Sequence, residues 1–524
     1  MNKYIKIFLS LLIAGSLSSC DLERLPENSV EPQIETLSDA QHWDNGIMAF
    51  FRGRQYGIFN FPQDVQADYV NATVGFGNRS GMIHNWLFTA TDFTIRDVWF
   101  AYYRALANVN LGIASYPAVR ANLTTDAQRA QLDRFLGNAH FARAFYYNEL
   151  ALRWSNSFDP ATAATELSVP IVTEFDAPRF DYLPARATLQ QVYNFILEDI
   201  ARARTLLADV PGVPGATRFN RDVVTALEAR VRLYMQDWAG AFAAANSLIE
   251  SGTYPLETTV EGMQELWIHD NSDEVIMQAH ISAPLELPAA GGAVANNIFT
   301  NNWIYVGYQP HLSPFPRFVP DFLPSQWVVD MFCADDIRRP VYFTRGTVVT
   351  AGITANNVYV MTKFRGNPAI TGAQVGTPGT QAAAHNAQAP KVFRIAEMYL
   401  IAAEAAFRMG NEADALTALN TLRQARGLGA VNALSAAVGS APPQEIQDER
   451  FRELAFEGFR LWDLRRWGLG VERREPQPAA AGILNTGAAF TTLSRPAGDH
   501  RFVWGIPDND IRVNPNLRPQ NPGW

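Results

Sequence analysis

The sequence predicts a mostly α-helical protein in which helix pairs build a scaffold and a long irregular segment is inserted between them. Two observations carry this prediction. A helix-turn-helix pattern recurs 174 residues further along the chain, and a Gly-, Pro-, Asn- and aromatic-rich stretch separates the two copies. The chain of 524 residues is 48% hydrophobic and 18% charged, which is typical of an ordered globular protein with a large core.

The repeat relates residues 229–248 to residues 403–422, and seven of the twenty aligned positions are identical. Each copy reads as a helix, a short polar turn and a second helix, with small residues where the two helices would cross closely. The length and alanine spacing resemble tetratricopeptide units. Such a unit cannot bury its apolar face alone, so further helix pairs are expected at 91–115 with 124–154, and at 188–208 leading into 222–236.

The stretch between the copies predicts an insertion of loops, short strands and few helices, because its turn residues are too dense for long helices. Long ordered loops on a rigid scaffold often carry function. The predicted organisation is listed in chain order: a signal peptide at 1–19, a tether at 20–34, a discontinuous helical scaffold at 35–258 and 388–470, the insertion at 259–387 and an extended tail at 471–524.

The segment 449–468, ERFRELAFEGFRLWDLRRWG, combines an apolar helical face with a dense set of charges. The apolar face consists of Phe451, Leu454, Ala455, Phe459 and Trp462. Lone charges would be costly beside this face, so we expect ion pairs that link helices and the tail. The charged residues assigned to this structural network are Arg450, Glu453, Glu457, Arg460 and Asp463.

The N-terminus has the plan of a bacterial lipoprotein signal. Lys3 and Lys6 precede an apolar run at 7–14 that is too short to span a bilayer, and Leu17-Ser18-Ser19-Cys20 follows as a lipobox. We expect cleavage before Cys20 and lipid attachment to it. Cys333 then has no disulfide partner and is expected to be a small buried residue.

Several ordered motifs resemble the SusD/RagB family of nutrient-binding outer-membrane lipoproteins. They are PS at 324–325, DDIR at 335–338, RIAEMYL at 394–400, AEA at 403–405, LNTLRQAR at 419–426, the segment 449–468, IP at 506–507, NP at 514–515 and QNPG at 520–523. In LNTLRQAR the last Ala and Arg stand in the reverse of the family order, and Asp510 stands where the family usually has Glu.

The resemblance implies a SusD-like fold: four tetratricopeptide-like helix pairs forming a superhelical scaffold, and an irregular, loop-rich ligand-binding half. It also implies a lipid-anchored protein on the cell surface, at the outer membrane. Such a protein pairs with a SusC-like TonB-dependent transporter and captures oligosaccharides or, in some members, peptides.

Composition and motifs argue against other classes. The net charge of −9 does not suit a nucleic-acid partner, which needs a basic face. The chain has no Walker A loop, HExxH or GxSxG motif, so a non-catalytic protein is expected. Its eight His are scattered, and no metal site is predicted. Ca²⁺ at an Asp/Asn-rich loop is conceivable, but no EF-hand spacing supports it.

Two clusters combine aromatic side chains with amides, the mixture that binds a sugar. An indole or phenol stacks on the apolar face of the ring, and amides or Arg bond its hydroxyls. The first cluster is Asn71, Asn78, Arg79, His84, Asn85 and Trp86. The second cluster is Asn301, Asn302, Trp303, Tyr305 and Tyr308.

Three alternatives to glycan capture remain open. The ligand delivered to the same kind of transporter could be a peptide, since the acidic charge of this chain would suit a basic peptide. The helical repeats could bind a protein and no nutrient, although a pure scaffold would not need the aromatic insertion. The protein could be a surface hydrolase, which needs only two carboxylates. With 52 acidic residues in the chain, the sequence does not show whether any two form such a pair.

Overall fold

This computed structural model describes residues 34–524, with the exception of 56, 77–80, 175–181, 282–307, 310–316, 368, 370–387 and 486. The signal peptide, Cys20 and nearly all of the tether therefore lie outside the described residues. Over the part of the chain that is described, no helix has the length and apolar character needed to cross a membrane.

Helices dominate the chain on both sides of the insertion. In chain order they are α1 (Leu37–Arg52), α2 (Phe61–Gln66), α3 (Gly81–His84), α4 (Phe93–Ala121), α5 (Asp126–Trp154), α6 (Leu189–Leu206), α7 (Arg221–Tyr234), α8 (Trp238–Glu250), α9 (Val260–Gln264), α10 (Gln326–Asp330), α11 (Arg339–Tyr342), α12 (Ile395–Arg408), α13 (Glu412–Ala425), α14 (Gln444–Leu454), α15 (Arg460–Arg466) and α16 (Asp508–Val513).

Most of the strands are short, and they lie mainly in the insertion. They are β1 (Val70–Ala72), β2 (Val275–Gln278), β3 (Tyr308–Gln309), β4 (Arg317–Phe318), β5 (Phe322–Pro324), β6 (Phe343–Thr350), β7 (Ile353–Met361) and β8 (Lys391–Arg394). β1 pairs with β5, β2 pairs with β8, and the remaining strands form one sheet in the order β3-β4-β6-β7. The insertion is thus joined by sheet to the scaffold segments on either side of it.

The predicted repeat is confirmed as the helix pairs α7–α8 and α12–α13, and α8 packs against α12. The aligned turn positions Gln236 and Gly410 both have positive φ, 59° and 79°. The next residue in each copy, Asp237 or Asn411, caps the second helix with its side chain. Equivalent residues therefore make equivalent turns.

The other expected helices are also present as α4, α5 and α6. Thr125 and Thr188 start α5 and α6 with capping boxes, in which a Gln three residues later bonds back. α5 packs along both α4 and α6. This succession of packed helices is consistent with tetratricopeptide-like units, and it shares one large apolar core with the insertion and the tail.

The helical face expected over 449–468 is divided between two helices. α14 ends at Leu454 and α15 begins at Arg460, and between them Phe456 and Gly458 have φ of 67° and 85°. The break has a physical cause. The Lys363 ammonium donates to the Ala455 carbonyl at 2.8 Å, and the Phe456 ring packs 5.2 Å from Tyr69.

Two further expectations are corrected. The tail is not extended but folds into short helical turns at 478–483, 487–493, 500–502 and 515–517, besides α16. Pro at the start of two of these turns and side-chain caps from Asp499 and Asn514 favour them over extended chain. Cys333 is exposed, because it lies in the turn that follows α10.

Asp44 on α1 is a buried carboxylate that should make stability depend on pH. It accepts hydrogen bonds from Asn138 Nδ2 at 2.8 Å and from Arg218 Nη1 at 3.0 Å. Burial raises the pKa of Asp44 from 3.8 to about 6, although both partners act to lower it. Between these values the folded chain binds a proton that the unfolded chain has lost, so stability falls as the pH rises.

The expected contribution of Asp44 is a loss of up to about 3 kcal/mol between pH 4 and pH 7. The variant Asp44→Asn should lack this contribution, so its free energy of unfolding should fall less over the same range. Urea denaturation of both proteins across that range measures the difference. Parallel pH profiles would contradict the raised pKa, and Asp133→Asn, at a more exposed carboxylate, is the control.

Candidate functional site

The two predicted ligand loops leave the scaffold from adjacent stems. β1 runs antiparallel to β5, with Asn71 opposite Leu323. Beyond the end of β1, the Thr73 N–H donates to the Asp321 carbonyl at 2.8 Å. The Gly75 N–H then donates to Thr350 Oγ1 on β6 at 2.8 Å. The N-terminal loop therefore starts beside the strands through which the insertion returns.

The insertion returns through β3 and β4. β3 pairs antiparallel with β4, and Phe318 of β4 pairs in parallel with Val348 of β6. The Phe318 ring lies against Gly346, where a Cβ would approach the ring to 2.6 Å. Tyr308 is placed as backbone in β3, and the other members of the second cluster lie outside the described residues: Asn301, Asn302, Trp303 and Tyr305.

Three residues of the first cluster are buried, which corrects their assignment to a ligand surface: Asn71, His84 and Trp86. Trp86 is 0% exposed and packs 5.4 Å from Phe502 of the tail. Asn71 is 1% exposed and donates to Ser325 Oγ at 2.7 Å. Neither side chain can contact a ligand in this arrangement.

His84 is enclosed in the same way. Its Nδ1 lies 2.8 Å from Arg473 Nη1, and burial together with this guanidinium lowers the pKa of His84 well below 6.5. Asn85 is half-buried, and Asn78 and Arg79 lie outside the described residues. The candidate contacts that persist in this loop are therefore those three residues.

A hairpin that the sequence analysis missed stands beside these stems. β6 and β7 are joined through Ala351 and Gly352, both with positive φ, as in a type I′ turn. Thr-Ala-Gly-Ile between two alternating β-forming runs was the signal that could have found it. On the hairpin's solvent side, the Arg345 guanidinium lies 5.4 Å over the Tyr359 ring.

A β-bulge shapes this solvent side of the hairpin. The register shifts between Gly346 and Val348, and Asn357 has a φ of 60°. Bulges re-aim side chains and occur often next to functional sites. Here the bulge leaves Asn356 and Asn357 exposed, and Asn356 Oδ1 accepts from Thr347 Oγ1 at 2.9 Å. We call Arg345, Thr347, Asn356, Asn357 and Tyr359 the hairpin face.

The backbone of Tyr359 is fixed by the tail. The Gln477 side chain accepts from the Tyr359 N–H and donates to the Tyr359 carbonyl, both at 2.8 Å. This amide occupies the edge of β7 where another strand would pair. The hairpin face thus has an aromatic ring on a fixed backbone, a guanidinium and two exposed amides. The aromatic ring can stack on a sugar ring, and the guanidinium and amides can bond its hydroxyls.

The charged signature residues form a largely buried network of ion pairs. Glu453 accepts hydrogen bonds from Arg338 at 2.9 Å, Arg394 at 2.7 Å and Arg426 at 2.9 Å. Burial alone would raise the pKa of Glu453, but the three guanidiniums outweigh it and hold the pKa well below 4.5.

The remaining signature residues make the expected ion pairs. Arg450 bonds Asp463 at 2.8 Å, and Arg460 bonds Asp68 at 2.6 Å. Glu457 accepts from Lys363 and Arg394, each at 2.7 Å. The expected link was to the tail, but the described ion pairs of these residues reach the insertion instead, through Lys363 and Arg338.

Two family models match this chain. Residues 337–524 match the SusD family, and residues 27–233 match a SusD-like family described as starch-binding and associating with the outer membrane. The chain belongs to the SusD/RagB family. SusD-like protein P38 of Formosa agariphila is 25% identical over 514 residues, covering 90% of this chain and 92% of the relative.

Solved structures of the SusD superfamily share the fold. A putative sugar-binding protein of Bacteroides vulgatus superposes with a TM-score of 0.72 at 22% identity, covering 94% of this chain and 100% of that one. A laminarin-binding SusD-like protein gives a TM-score of 0.68 at 21% identity, with coverage of 94% and 100%. In the described residues, no group of three or more His, Cys, Asp or Glu is placed to hold a metal ion.

Proposed function

We propose that this SusD-like protein captures oligosaccharide or polysaccharide at the cell surface and delivers it to a SusC-like TonB-dependent outer-membrane transporter, without catalysis. The observation that carries the proposal is the convergence of both loop stems on one side of the protein, next to the hairpin face. The two loop stems and the hairpin, which are three separate chain segments, thereby lie next to one another.

The ligand contacts proposed on this surface come from two sources. The loops supply Asn78, Arg79, Asn85, Asn302, Trp303, Tyr305 and Tyr308. The hairpin face adds Arg345, Asn356 and Tyr359, whose side chains are described. A relative that binds laminarin and another named as a putative sugar-binding protein support a glycan as the ligand. The outer-membrane description of one matching family supports the proposed anchor at Cys20.

Trp303→Ala is expected to weaken polysaccharide binding about tenfold, because losing one ring-stacking contact of about 1.4 kcal/mol changes affinity by that factor. Retardation on native gels that contain laminarin or starch measures the effect. The matched control is Phe100→Ala, which removes an aromatic that is 63% exposed on α4. Equal retardation of both variants and wild type would remove Trp303 from the site.

The same screen separates the alternatives. Release of reducing ends from the polysaccharide would indicate a hydrolase. Binding of peptides with no retardation on any polysaccharide gel would favour peptide capture. If the protein binds neither polysaccharides nor peptides, and a protein partner binds its helical scaffold, the result would favour an interaction protein.

A further inference from the structure

A cleft of 1140 Å³ opens on another part of the molecule. It is bordered by α10, by α14 with the loop that precedes it, and by two stretches of the tail at 469–474 and 494–496. We call it the lateral cleft, defined by Trp327, Asp330, Gln447, Asp448, Glu472 and Arg474. None of the described residues of the two ligand loops lines it.

The β1–β5 pair separates the lateral cleft from the loop stems. Asp68, which precedes β1, and Trp327, which follows β5, line the cleft. Thr73 and Asp321, at the opposite ends of the same strands, bond each other at the loop stems. The intervening strands span about 10 Å. The lateral cleft is therefore a separate place on the surface, not a continuation of the hairpin face.

The floor of the lateral cleft is a ladder of stacked side chains. The Arg460 guanidinium lies 5.0 Å from the Phe451 ring, which stacks on Trp327 with centroids 4.9 Å apart and planes 30° apart. Arg474 lies 4.8 Å over the Trp327 ring as the outermost layer. The buried carboxylate of Asp68 holds Arg460 at 2.6 Å. The floor is thus rigid, and only its top layer, Arg474, is 49% exposed.

The walls carry acceptors and donors in similar numbers. Asp330, Asp448 and Glu472 offer carboxylate oxygens, whereas Gln447 and Arg474 offer N–H groups. The mixture of signs disfavours a strongly charged ligand, whose charge would meet a like charge on one wall. It suits a polyol, whose hydroxyls donate to carboxylates and accept from amides and guanidinium.

Apolar residues line the rim of the same cleft. Met331, Val438 and Leu469 border it, and Val438 is 77% exposed. Such side chains suit the C–H face of a sugar ring. The volume slightly exceeds that of pockets for single drug-sized ligands, so several linked rings would fit. The indole Nε1–H of Trp327 is buried without a partner in the described part of the chain, which leaves one donor in the floor unused.

We infer that the lateral cleft is a second carbohydrate site, which binds a neutral oligosaccharide. It does so independently of the site proposed above at the ligand loops and the hairpin face, which we call the loop surface. The inference rests on the proposed function in one respect only, namely that glycan is the ligand class. Arg474 and Gln447 donate to ring hydroxyls, and Glu472 and Asp448 accept from them. A surface protein with two separated sites would bind a long polysaccharide at two points. Its overall affinity would rise because binding at the first site makes binding at the second intramolecular.

Isothermal titration of the mature chain with laminarihexaose and with maltohexaose tests the inference. The wild type should bind two molecules of one of these sugars. Arg474→Ala and, separately, Glu472→Gln should each weaken one site at least tenfold at unchanged melting temperature. Both side chains are exposed and pair only loosely, at 3.7 Å. The matched control is Arg96→Ala, which removes an arginine stacked 4.9 Å over an exposed ring, Phe93.

The outcomes separate the two proposals. Loss of one site in Arg474→Ala and of the other in Trp303→Ala supports both. A single site that Trp303→Ala removes and Arg474→Ala leaves intact overturns the lateral cleft alone. A single site with the opposite response supports the cleft and overturns the loop surface. Binding of neither sugar, with no retardation on either polysaccharide gel, overturns both.

Discussion

Glu453→Gln is expected to lower the free energy of unfolding by about 3–5 kcal/mol, the range seen when one partner of a buried ion pair is removed. Glu453 and the guanidiniums of Arg338 and Arg426 are 0% exposed, and that of Arg394 is 2% exposed. The neutral amide keeps the shape of the side chain but removes a carboxylate that all three cations share, so the remaining partners Glu449, Glu457 and Glu274 must balance the buried charge without it. Chemical denaturation at pH 7 measures the loss.

The pH dependence of this loss gives a second check. The pKa of Glu453 in the folded chain lies below its ordinary value of 4.5, so its charge stabilises the fold above that value. The difference between wild type and Glu453→Gln should therefore be complete at neutral pH and shrink as the pH falls below 4.5. Glu261→Gln, at an exposed position on α9, should change stability by less than about 0.5 kcal/mol. A loss no larger than this control would contradict the structural role.

Local patterns explain what the sequence could predict. The turn at Gln236 and the turn at Gly410 depend on neighbours within a few residues, so the repeat is visible as a pattern. The family motifs are equally local. The charges of 449–468 likewise predict that a network exists, because so many charges beside an apolar face must be paired.

Long-range packing explains what the sequence could not predict. The residues around Trp86 have the composition of a ligand-binding loop, but Phe502 of the tail packs against the Trp86 ring. Lys363 lies far from α14 in sequence, yet it takes the carbonyl groups that would otherwise continue the helix. The hairpin face depends on Gln477, a tail residue that holds β7. Each of these contacts joins distant segments, and no local periodicity reports it.

Glu457→Ala is expected to cost about 3–5 kcal/mol of stability and to leave glycan affinity per folded molecule unchanged. The Glu457 carboxylate pairs with the Lys363 ammonium at 2.7 Å and also with Arg394. Burial lowers the pKa of Lys363 to about 8 even with Glu457 present. Without that carboxylate, the ammonium retains the two carbonyls and the rings of Trp267 and Tyr342, each 4.2 Å away.

Removing the stranded cation should restore part of this loss. In the double variant Lys363→Met/Glu457→Ala, the thioether side chain can pack against the same two rings without a charge to desolvate. The double variant should therefore be more stable than Glu457→Ala, with a coupling of about 0.5–3 kcal/mol between the two sites in a double-mutant cycle. Additive effects would show that Glu457 acts through Arg394 instead. A loss of polysaccharide retardation at unchanged stability would place Glu457 in the ligand site and refute its role as a structural residue.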